Sequence, residues 1–350
     1  MLIKEANLLR KESIYYGNYA YTNVFDSYSH HNLLWAIADE TYAFWGIPPL
    51  YKIPETAEAI VGKMVRNAAN SRCETILLSC ELFFYTIFDT HLKIKGVKVT
   101  NEQITRAFGY CVNRFKSLFP DFEIKIICYL RRQDLFIESL FNQFVKESSP
   151  DFFKTVNGEN VNLLDTLNYS FKDDSKVSGF NRVFRALFNY TDYYAILNEW
   201  ASAYGRENVI VRPFEKSQLE DGIVQDFFKN ALCIEFNING GDTRINPGVG
   251  RDKLEYLLRL QMRGFHSRIL NIPETAEFHK TDNLYMSLAE RNALMLFHKK
   301  GNEAVARDFL NRENGVLFYE EVKQEEDTYT GLSEKMTFNI TRGLLAAVNK

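Results

Sequence analysis

The chain has 350 residues, of which 46% are hydrophobic and 25% are charged, a balance typical of soluble globular proteins. Its formal net charge of −3 argues against a polyanionic partner such as nucleic acid, because a domain that binds DNA or RNA is usually clearly basic. The length favours one large domain with additions, or two lobes.

The cysteines, histidines and apolar runs narrow the protein class further. Five cysteines are scattered without a CxxC pair, which favours reduced thiols in a cytoplasmic protein. The six histidines show no HxxxH or HExxH spacing, so we expect no metal ion. The amino-terminal stretch MLIKEANLLRKE lacks the apolar core of a secretory signal. No run approaches the ~18–20 apolar residues that span a bilayer, so we expect no integral membrane segment.

The first part of the sequence predicts three helices and one short strand. Helical periodicity runs through residues 2–13, 27–46 and 53–69. Pro54 falls at the start of the third helix, where a proline costs little because the first N–H groups have no partner within the helix. The apolar run Thr75–Leu78 has the length and composition of a buried strand.

Helices and strands alternate through the middle of the chain. The predicted elements, in order, are a helix at 100–119, a strand at 122–130, and helices at 134–147 and 192–205, followed by a strand at 207–215 and a helix at 221–232. This alternation predicts parallel strands joined by right-handed crossovers.

The remaining segments indicate how the chain is organised. Residues 150–190 are rich in Asn, Asp and Ser, and we expect an irregular insertion or lid there. Three helical patterns lie beyond residue 250, at 251–265, 287–300 and 303–313. We therefore expect an α/β domain over 1–235, a helical extension over 236–321 packed on the same domain, and a partly mobile tail over 322–350.

The stretch YLRRQDLFIESLFNQ, residues 129–143, combines a strand end, two arginines and a helix. In an open parallel sheet, ligands bind beyond the carboxyl ends of the strands, where Arg131 and Arg132 fall. Ser139 follows two helical turns later, on the side away from the apolar stripe. Guanidinium groups and a hydroxyl form a suitable clamp for a phosphate. Alternatively, the arginines form a surface ion pair with Asp134, and Ser139 is an ordinary polar-face residue.

A strand, an arginine and a serine eight positions later, followed by an aromatic residue and a glutamine, resembles the 3′-phosphate-binding segment of sulfotransferases that use the donor PAPS. More closely, the chain resembles bacterial sulfotransferase-like proteins associated with surface-polysaccharide biosynthesis. Four other segments resemble that group in the same order, namely SHHNLLWAI, ILLSCELF, GRENVIVRPFEKSQLEDGIVQDFF and FLNRENGVLF.

This resemblance implies an α/β three-layer sandwich with a central, mostly parallel sheet of P-loop NTPase-like (sulfotransferase) topology, and a helical C-terminal part. It implies that Arg131 and Ser139 bind PAPS and that the second substrate is a carbohydrate or a similar polar acceptor. The sequence lacks the Lys-Thr-Gly-Thr-Thr-like loop that holds the donor's 5′-phosphosulfate in this family. We expect either that the reading frame begins upstream or that this form has lost the site for the donor's reactive end.

Sulfuryl transfer requires a base for the acceptor and positive charge for the leaving oxygen, and lysine and arginine can supply that charge without a metal. Glu81 is the first candidate base, because it follows the Thr75–Leu78 strand at its carboxyl end. Alternatively, Glu81 is an acidic residue in the first turn of a helix, favoured by the helix dipole. His31, with His30 beside it, is the competing base, since an imidazole titrates near neutrality. Either histidine could equally be a hydrogen-bonded structural residue or an acceptor contact.

Three functions remain open from the sequence. The first is a PAPS-dependent sulfotransferase, and the second is a non-catalytic nucleotide- or glycan-binding protein of the same fold. The third is a glycosyltransferase, although no DxD motif stands at a strand end. Arg212, near the end of the predicted 207–215 strand, serves either an anionic acceptor or a structural ion pair, with Glu215 as the candidate partner.

Overall fold

The computed structural model describes residues 6–16, 30–44, 49, 52–80, 83–84, 101–147, 191–235, 253–254, 256–257, 286 and 288–322. Within these ranges the chain is mixed α/β, with more helix than strand. The helices are α1 (Ala6–Lys11), α2 (His31–Phe44), α3 (Ala57–Asn70), α4 (Asn101–Leu118), α5 (Gln133–Glu147), α6 (Tyr193–Tyr204), α7 (Ile223–Asp226) and α8 (Leu288–Leu310). The strands are β1 (Ile14–Tyr15), β2 (Thr75–Ile76), β3 (Ile126–Leu130) and β4 (Val209–Pro213).

The chain divides into two compact units. The first consists of Met1–Cys128 and Ala195–Ile210, and the second consists of Tyr129–Tyr194 and Val211–Lys350. The domain boundaries that the sequence predicts at 235 and 321 stay predictions. The predicted lid at 150–190 lies outside the described residues.

A short parallel pair of strands, β1 and β2, lies in the first unit. The register places Ile14 opposite Thr75 and Tyr15 opposite Ile76. The N–H of Leu77 continues the ladder by donating to the carbonyl of Tyr15 at 2.9 Å. The parallel direction is the one that the alternating sequence predicts. The sequence did not reveal β1, because two residues are too few to show a period.

Helices α2, α3 and α4 form the main core of the first unit. Helix α3 begins after Thr56, whose hydroxyl accepts a hydrogen bond from the N–H of Ala59 at 3.2 Å and so caps the helix. Pro54 therefore precedes the cap instead of standing in the first turn. The buried side chains at the centre of this core recur at helical spacing, and they are Leu33, Ile37, Tyr42, Ile60, Met64, Ala107 and Phe115.

Strands β3 and β4 are hydrogen-bonded neighbours in a second two-stranded sheet. The N–H of Phe214, directly after β4, donates to the carbonyl of Leu130, the last residue of β3, at 2.7 Å. Because the carboxyl ends of the two strands lie side by side, the strands run in the same direction. The residues that follow them therefore share one edge, which is where parallel sheets bind ligands.

The described strands form two two-stranded sheets and not one central sheet. The mixed α/β character agrees with the sequence, whereas the predicted three-layer arrangement does not appear in the described ranges. The strand predicted at 122–130 is shorter than expected and begins at Ile126.

One long helix, α8, replaces the two helices predicted at 287–300 and 303–313. The chain leaves the helix through Asn311, with φ of 54°, and turns at Gly315, with φ of 67°. A Cβ at position 315 would stand 2.8 Å from the guanidinium of Arg307, so both the backbone angle and the space favour glycine. Residues 316–322, which we call the C-terminal strap, follow this turn without helix.

Buried polar side chains connect α5 and α8 within the second unit. Gln133 and Asn302 exchange two amide hydrogen bonds, at 2.6 and 3.0 Å. His298, only 6% exposed, places Nε2 2.8 Å from the hydroxyl of Thr191. Burial lowers the pKa of His298 to about 4, although the negative charge of Asp192 opposes this shift.

The buried imidazole predicts a pH dependence of stability. The unfolded chain takes up the proton near pH 6.5, and the folded chain takes it up near pH 4. The contribution of neutral His298 to the free energy of unfolding is therefore fully present above pH 6.5. It is lost as the pH falls to 4, which lowers the free energy of unfolding by an amount on the order of 3 kcal/mol. Urea unfolding measured at several pH values should show a shallower decline for His298→Gln, which cannot take up a proton. Equal slopes for the two proteins would contradict the burial of a neutral His298.

Candidate functional site

Arg131 lies at the edge formed by the carboxyl ends of β3 and β4. Its side chain is half-buried, and the guanidinium carbon lies 5.9 Å from the ring centroid of Phe214. The phenol of Tyr193 donates to the backbone carbonyl of Arg131 at 2.5 Å. Burial raises the pKa of Tyr193, so this phenol keeps its proton and remains a donor. The backbone at Arg131 is thus fixed while its cationic side chain lies along an aromatic ring.

Arg132 has a different role from Arg131. Its side chain is 4% exposed and forms a bidentate pair with Asp134, at 2.7 and 3.0 Å, and Asp134 itself is fully buried. Its Nη1 donates to the backbone carbonyls of Glu320 and Glu321, both at 2.8 Å. The ion pair with Asp134 that the sequence offered as an alternative is present, but it is buried and not on the surface. These contacts assign Arg132 to the structural framework and leave Arg131 and Ser139 as the predicted phosphate ligands.

Ser139 is exposed on α5. The inner face of this helix is formed by Ile137 and Phe141, which are both buried. Glu138 is also buried, and its carboxylate accepts the N–H of Met286 at 2.5 Å. The hydroxyl of Ser139 is therefore accessible to solvent, and its binding of a phosphate together with Arg131 stays a prediction.

His30, the neighbour of the candidate base His31, is hydrogen-bonded to the chain that follows the β1–β2 pair in the first unit. The N–H of Ser79 donates to Nδ1 of His30 at 3.0 Å, and the N–H of His30 donates to the carbonyl of Ser79 at 2.9 Å. Nδ1 of His30 also lies 3.3 Å from the carbonyl oxygen of Ser79. The ring of Tyr16 stands edge-on to His30, with the centroids 5.4 Å apart. His30 is buried and therefore acts as a structural residue that joins the start of α2 to the chain after β2.

His31 is more accessible than His30 and occupies the first turn of α2. Its ring stacks on Trp35, with the centroids 6.0 Å apart. Burial lowers the pKa of His31, and the neighbouring His30 lowers it further. His31 is consequently neutral near pH 7 and has the protonation state of a general base. Glu81, the other candidate base, lies outside the described residues.

Arg212 forms a structural ion pair, as one of the two sequence interpretations proposed, but its partner is Asp226 and not Glu215. Its Nε lies 3.0 Å from Oδ1 of Asp226, and its Nη2 also contacts the carboxylate. The phenol of Tyr129 donates to Oδ1 of Asp226 at 2.6 Å. Burial raises the pKa of Asp226, but hydrogen bonds led by that of Arg212 outweigh this effect and leave the pKa below its usual value.

Two contributors to the second unit, Tyr193 and Asp226, were not among the residues predicted from the sequence. Tyr193 belongs to the aromatic pair that opens α6, a pattern typical of an ordinary apolar helix face. Asp226 had a weak signal, because it is the one carboxylate in the mostly apolar stretch IVQDFF, residues 223–228. A carboxylate in such a stretch is seldom buried unless it has a partner.

The described part of the chain contains no group of three or more His, Cys, Asp or Glu side chains placed to hold a metal ion. All five cysteines fall in this part and are free thiols. None of the helices described is both long and apolar enough to cross a membrane.

The chain is similar to an uncharacterized protein from Archaeoglobus fulgidus, with 25% identity over 210 residues. The match covers 56% of this chain and 49% of the archaeal protein, so the chain spans about half the length of the relative it matches. No protein-family model and no solved structure matches the chain. Because the description of the archaeal protein names no activity, the similarity identifies a distant relative and no family.

Proposed function

We propose that this chain is a sulfotransferase-like protein that transfers a sulfuryl group from PAPS to a carbohydrate or a similar polar acceptor. The observation that carries the proposal is the position of Arg131 at the shared carboxyl edge of two parallel strands. Its backbone is held by Tyr193, and the helix that follows presents an exposed Ser139. An arginine and a hydroxyl at such an edge suit the 3′-phosphate of a nucleotide. The complete fold in this proposal is the three-layer sandwich of P-loop NTPase-like topology.

The proposed reaction needs few groups from the protein. A base removes the proton of the acceptor hydroxyl, whose oxygen forms a new bond to sulfur. The bond between sulfur and the bridging phosphate oxygen breaks, and 3′,5′-ADP leaves. The neutral imidazole of His31 suits the base, with Glu81 as the alternative. Arg131 and Ser139 would hold the nucleotide through its 3′-phosphate, so that most of the rate comes from positioning and electrostatics.

The nucleotide site can be tested with 3′,5′-ADP and one substitution. Arg131→Ala should weaken binding of 3′,5′-ADP by about 2–3 kcal/mol, because it removes a charge-assisted hydrogen-bonding partner of the phosphate. Isothermal titration calorimetry would measure the dissociation constant. The matched control is Arg106→Ala, which removes an exposed arginine whose only described ion pair is with Glu102. An unchanged dissociation constant for Arg131→Ala would remove Arg131 from the site.

A non-catalytic binding protein of the same fold is the second candidate. Arg131 and the exposed Ser139 support it equally, because a phosphate clamp can bind a nucleotide without taking part in any transfer. Incubation with sulfur-labelled PAPS and candidate glycans separates the two functions. Labelled glycan would support the transferase, whereas 3′,5′-ADP binding without any transfer would support the binding protein. Binding of a sugar nucleotide in preference to 3′,5′-ADP would instead indicate a glycosyltransferase.

A further inference from the structure

The C-terminal strap, residues 316–322, runs along the edge where β3 and β4 end. The carbonyls of Glu320 and Glu321 accept hydrogen bonds from Arg132, which follows β3. On the β4 side, the side-chain amide of Gln218 donates to the carbonyl of Leu317 at 3.0 Å. The strap is therefore attached to the chain after both strands, at the edge proposed for the nucleotide.

Glu215 is the main anchor of the strap. It stands two residues after β4 and is 4% exposed. One carboxylate oxygen accepts the N–H of Tyr319 at 2.7 Å, and the other accepts the N–H of Glu320 at 3.1 Å. Gln218 adds a third hydrogen bond at 2.5 Å. A buried carboxylate with several N–H donors is a strong acceptor, so its loss should release the strap from β4.

Glu215 and the strap are connected to Arg131 through two neighbouring residues. Phe214, whose ring lies beside the guanidinium of Arg131, is the residue directly before Glu215. The other neighbour, Arg132, is bound to the strap and is the residue directly after Arg131. Arg131 is therefore next to two residues that are linked to the strap, Arg132 through its own hydrogen bonds and Phe214 through its neighbour Glu215.

We propose that Glu215 is a positioning residue, which acts through the strap to hold Arg131 in the orientation that binds the phosphate of a nucleotide. This inference rests on the proposed function for the identity of the ligand. It adds that nucleotide affinity depends on a carboxylate that touches no ligand. The positioning of Arg131 itself can be measured without a nucleotide.

The test compares wild type with Glu215→Gln, which keeps the side-chain length but replaces one acceptor oxygen by an amide donor. The control is Glu313→Gln, the same change at an exposed residue in the turn before the strap. Hydrogen exchange of peptides covering 316–322 reports the strap. The rate at which phenylglyoxal modifies Arg131, measured by mass spectrometry against Arg106, reports the arginine. Calorimetry with 3′,5′-ADP reports affinity.

Glu215→Gln should accelerate both the exchange of the strap and the modification of Arg131, and it should weaken 3′,5′-ADP binding by about tenfold. Glu313→Gln should change none of the three. Faster strap exchange with unchanged Arg131 reactivity would overturn the inference, as would unchanged strap exchange. No binding of 3′,5′-ADP to wild type would overturn the proposed function, while the reactivity of Arg131 would still decide the positioning inference.

A milder variant covers the case in which Glu215→Gln fails to fold. Gln218→Ala removes a half-buried side chain that bonds to Glu215, to Leu317 and, through Oε1, to Arg312 at 2.7 Å. It should change strap exchange and Arg131 reactivity in the same direction by a smaller factor. If Glu215→Gln does not fold, the Gln218→Ala protein decides the test. Wild-type rates of strap exchange and of Arg131 modification in folded Gln218→Ala would then overturn the inference.

Discussion

Replacement of Arg132 by methionine is expected to lower the free energy of unfolding by about 3–5 kcal/mol. Methionine has a similar length and fills the space of the aliphatic stem, but it leaves the fully buried carboxylate of Asp134 without its bidentate partner. It also removes the donor shared by the carbonyls of Glu320 and Glu321. The cost comes mainly from the unpaired buried charge, which is larger than the net value of the pair itself.

Equilibrium unfolding in urea would measure this loss. Arg106→Met is the matched control, because the pair of Arg106 with Glu102 is exposed and should contribute less than about 1 kcal/mol. The double variant Arg132→Met with Asp134→Leu should recover part of the stability, since no buried charge then remains unpaired. A loss below about 1 kcal/mol in the single variant would show that Asp134 reaches water or another donor.

Replacement of Asp226 by alanine should destabilise the second unit by a similar amount, about 3–5 kcal/mol. Asp226 is fully buried, while Arg212 on β4 is partly exposed. The carboxylate also accepts hydrogen bonds from the phenol of Tyr129 at 2.6 Å and from the amide of Asn230 at 2.9 Å. Alanine removes one group that satisfies several donors, so each donor loses its acceptor at the same time.

A graded series separates the charge of Asp226 from its hydrogen bonds. Asp226→Asn keeps a carbonyl oxygen for the phenol of Tyr129 but loses the charge, so we expect an intermediate loss of stability. Glu235→Ala, at an exposed position of the same unit, is the control and should stay within about 0.5 kcal/mol of wild type. An equal loss for Asp226→Asn and Asp226→Ala would show that the charge alone carries the stabilisation.

Local patterns in the sequence were sufficient to predict much of the region around Arg131. The apolar run that ends at Leu130, the helix that follows it and the polar position of Ser139 are all set by neighbouring residues. The different contacts of Arg131 and Arg132 were not predictable, since the two arginines are adjacent and identical. Arg132 donates to carbonyls far along the chain, at 320 and 321, whereas the side chain of Arg131 lies beside the ring of Phe214.

Long-range packing also explains why the structure has one helix, α8, where the sequence predicts two. The stretch Lys299–Lys300–Gly301 looks like a helix end, because basic residues in a last turn followed by glycine are a common C-terminal signal. In the structure, α8 continues through Gly301, and its next residue, Asn302, exchanges two hydrogen bonds with Gln133 of α5. The hydrogen bonds of this buried pair stabilise the helix beyond Gly301. Their contribution outweighs the low helix propensity of a single glycine.

The hydrogen bonds from Arg132 to the strap span 188 and 189 residues of sequence. On a ribosome that adds ~5–20 residues per second, about 10–40 s separate the synthesis of this arginine from that of its carbonyl partners. Throughout that interval Asp134 is the nearby partner that can neutralise the nascent arginine. The Arg132–Asp134 pair can thus form before the strap exists, whereas the hydrogen bonds to residues 320 and 321 must wait until those residues have been synthesised.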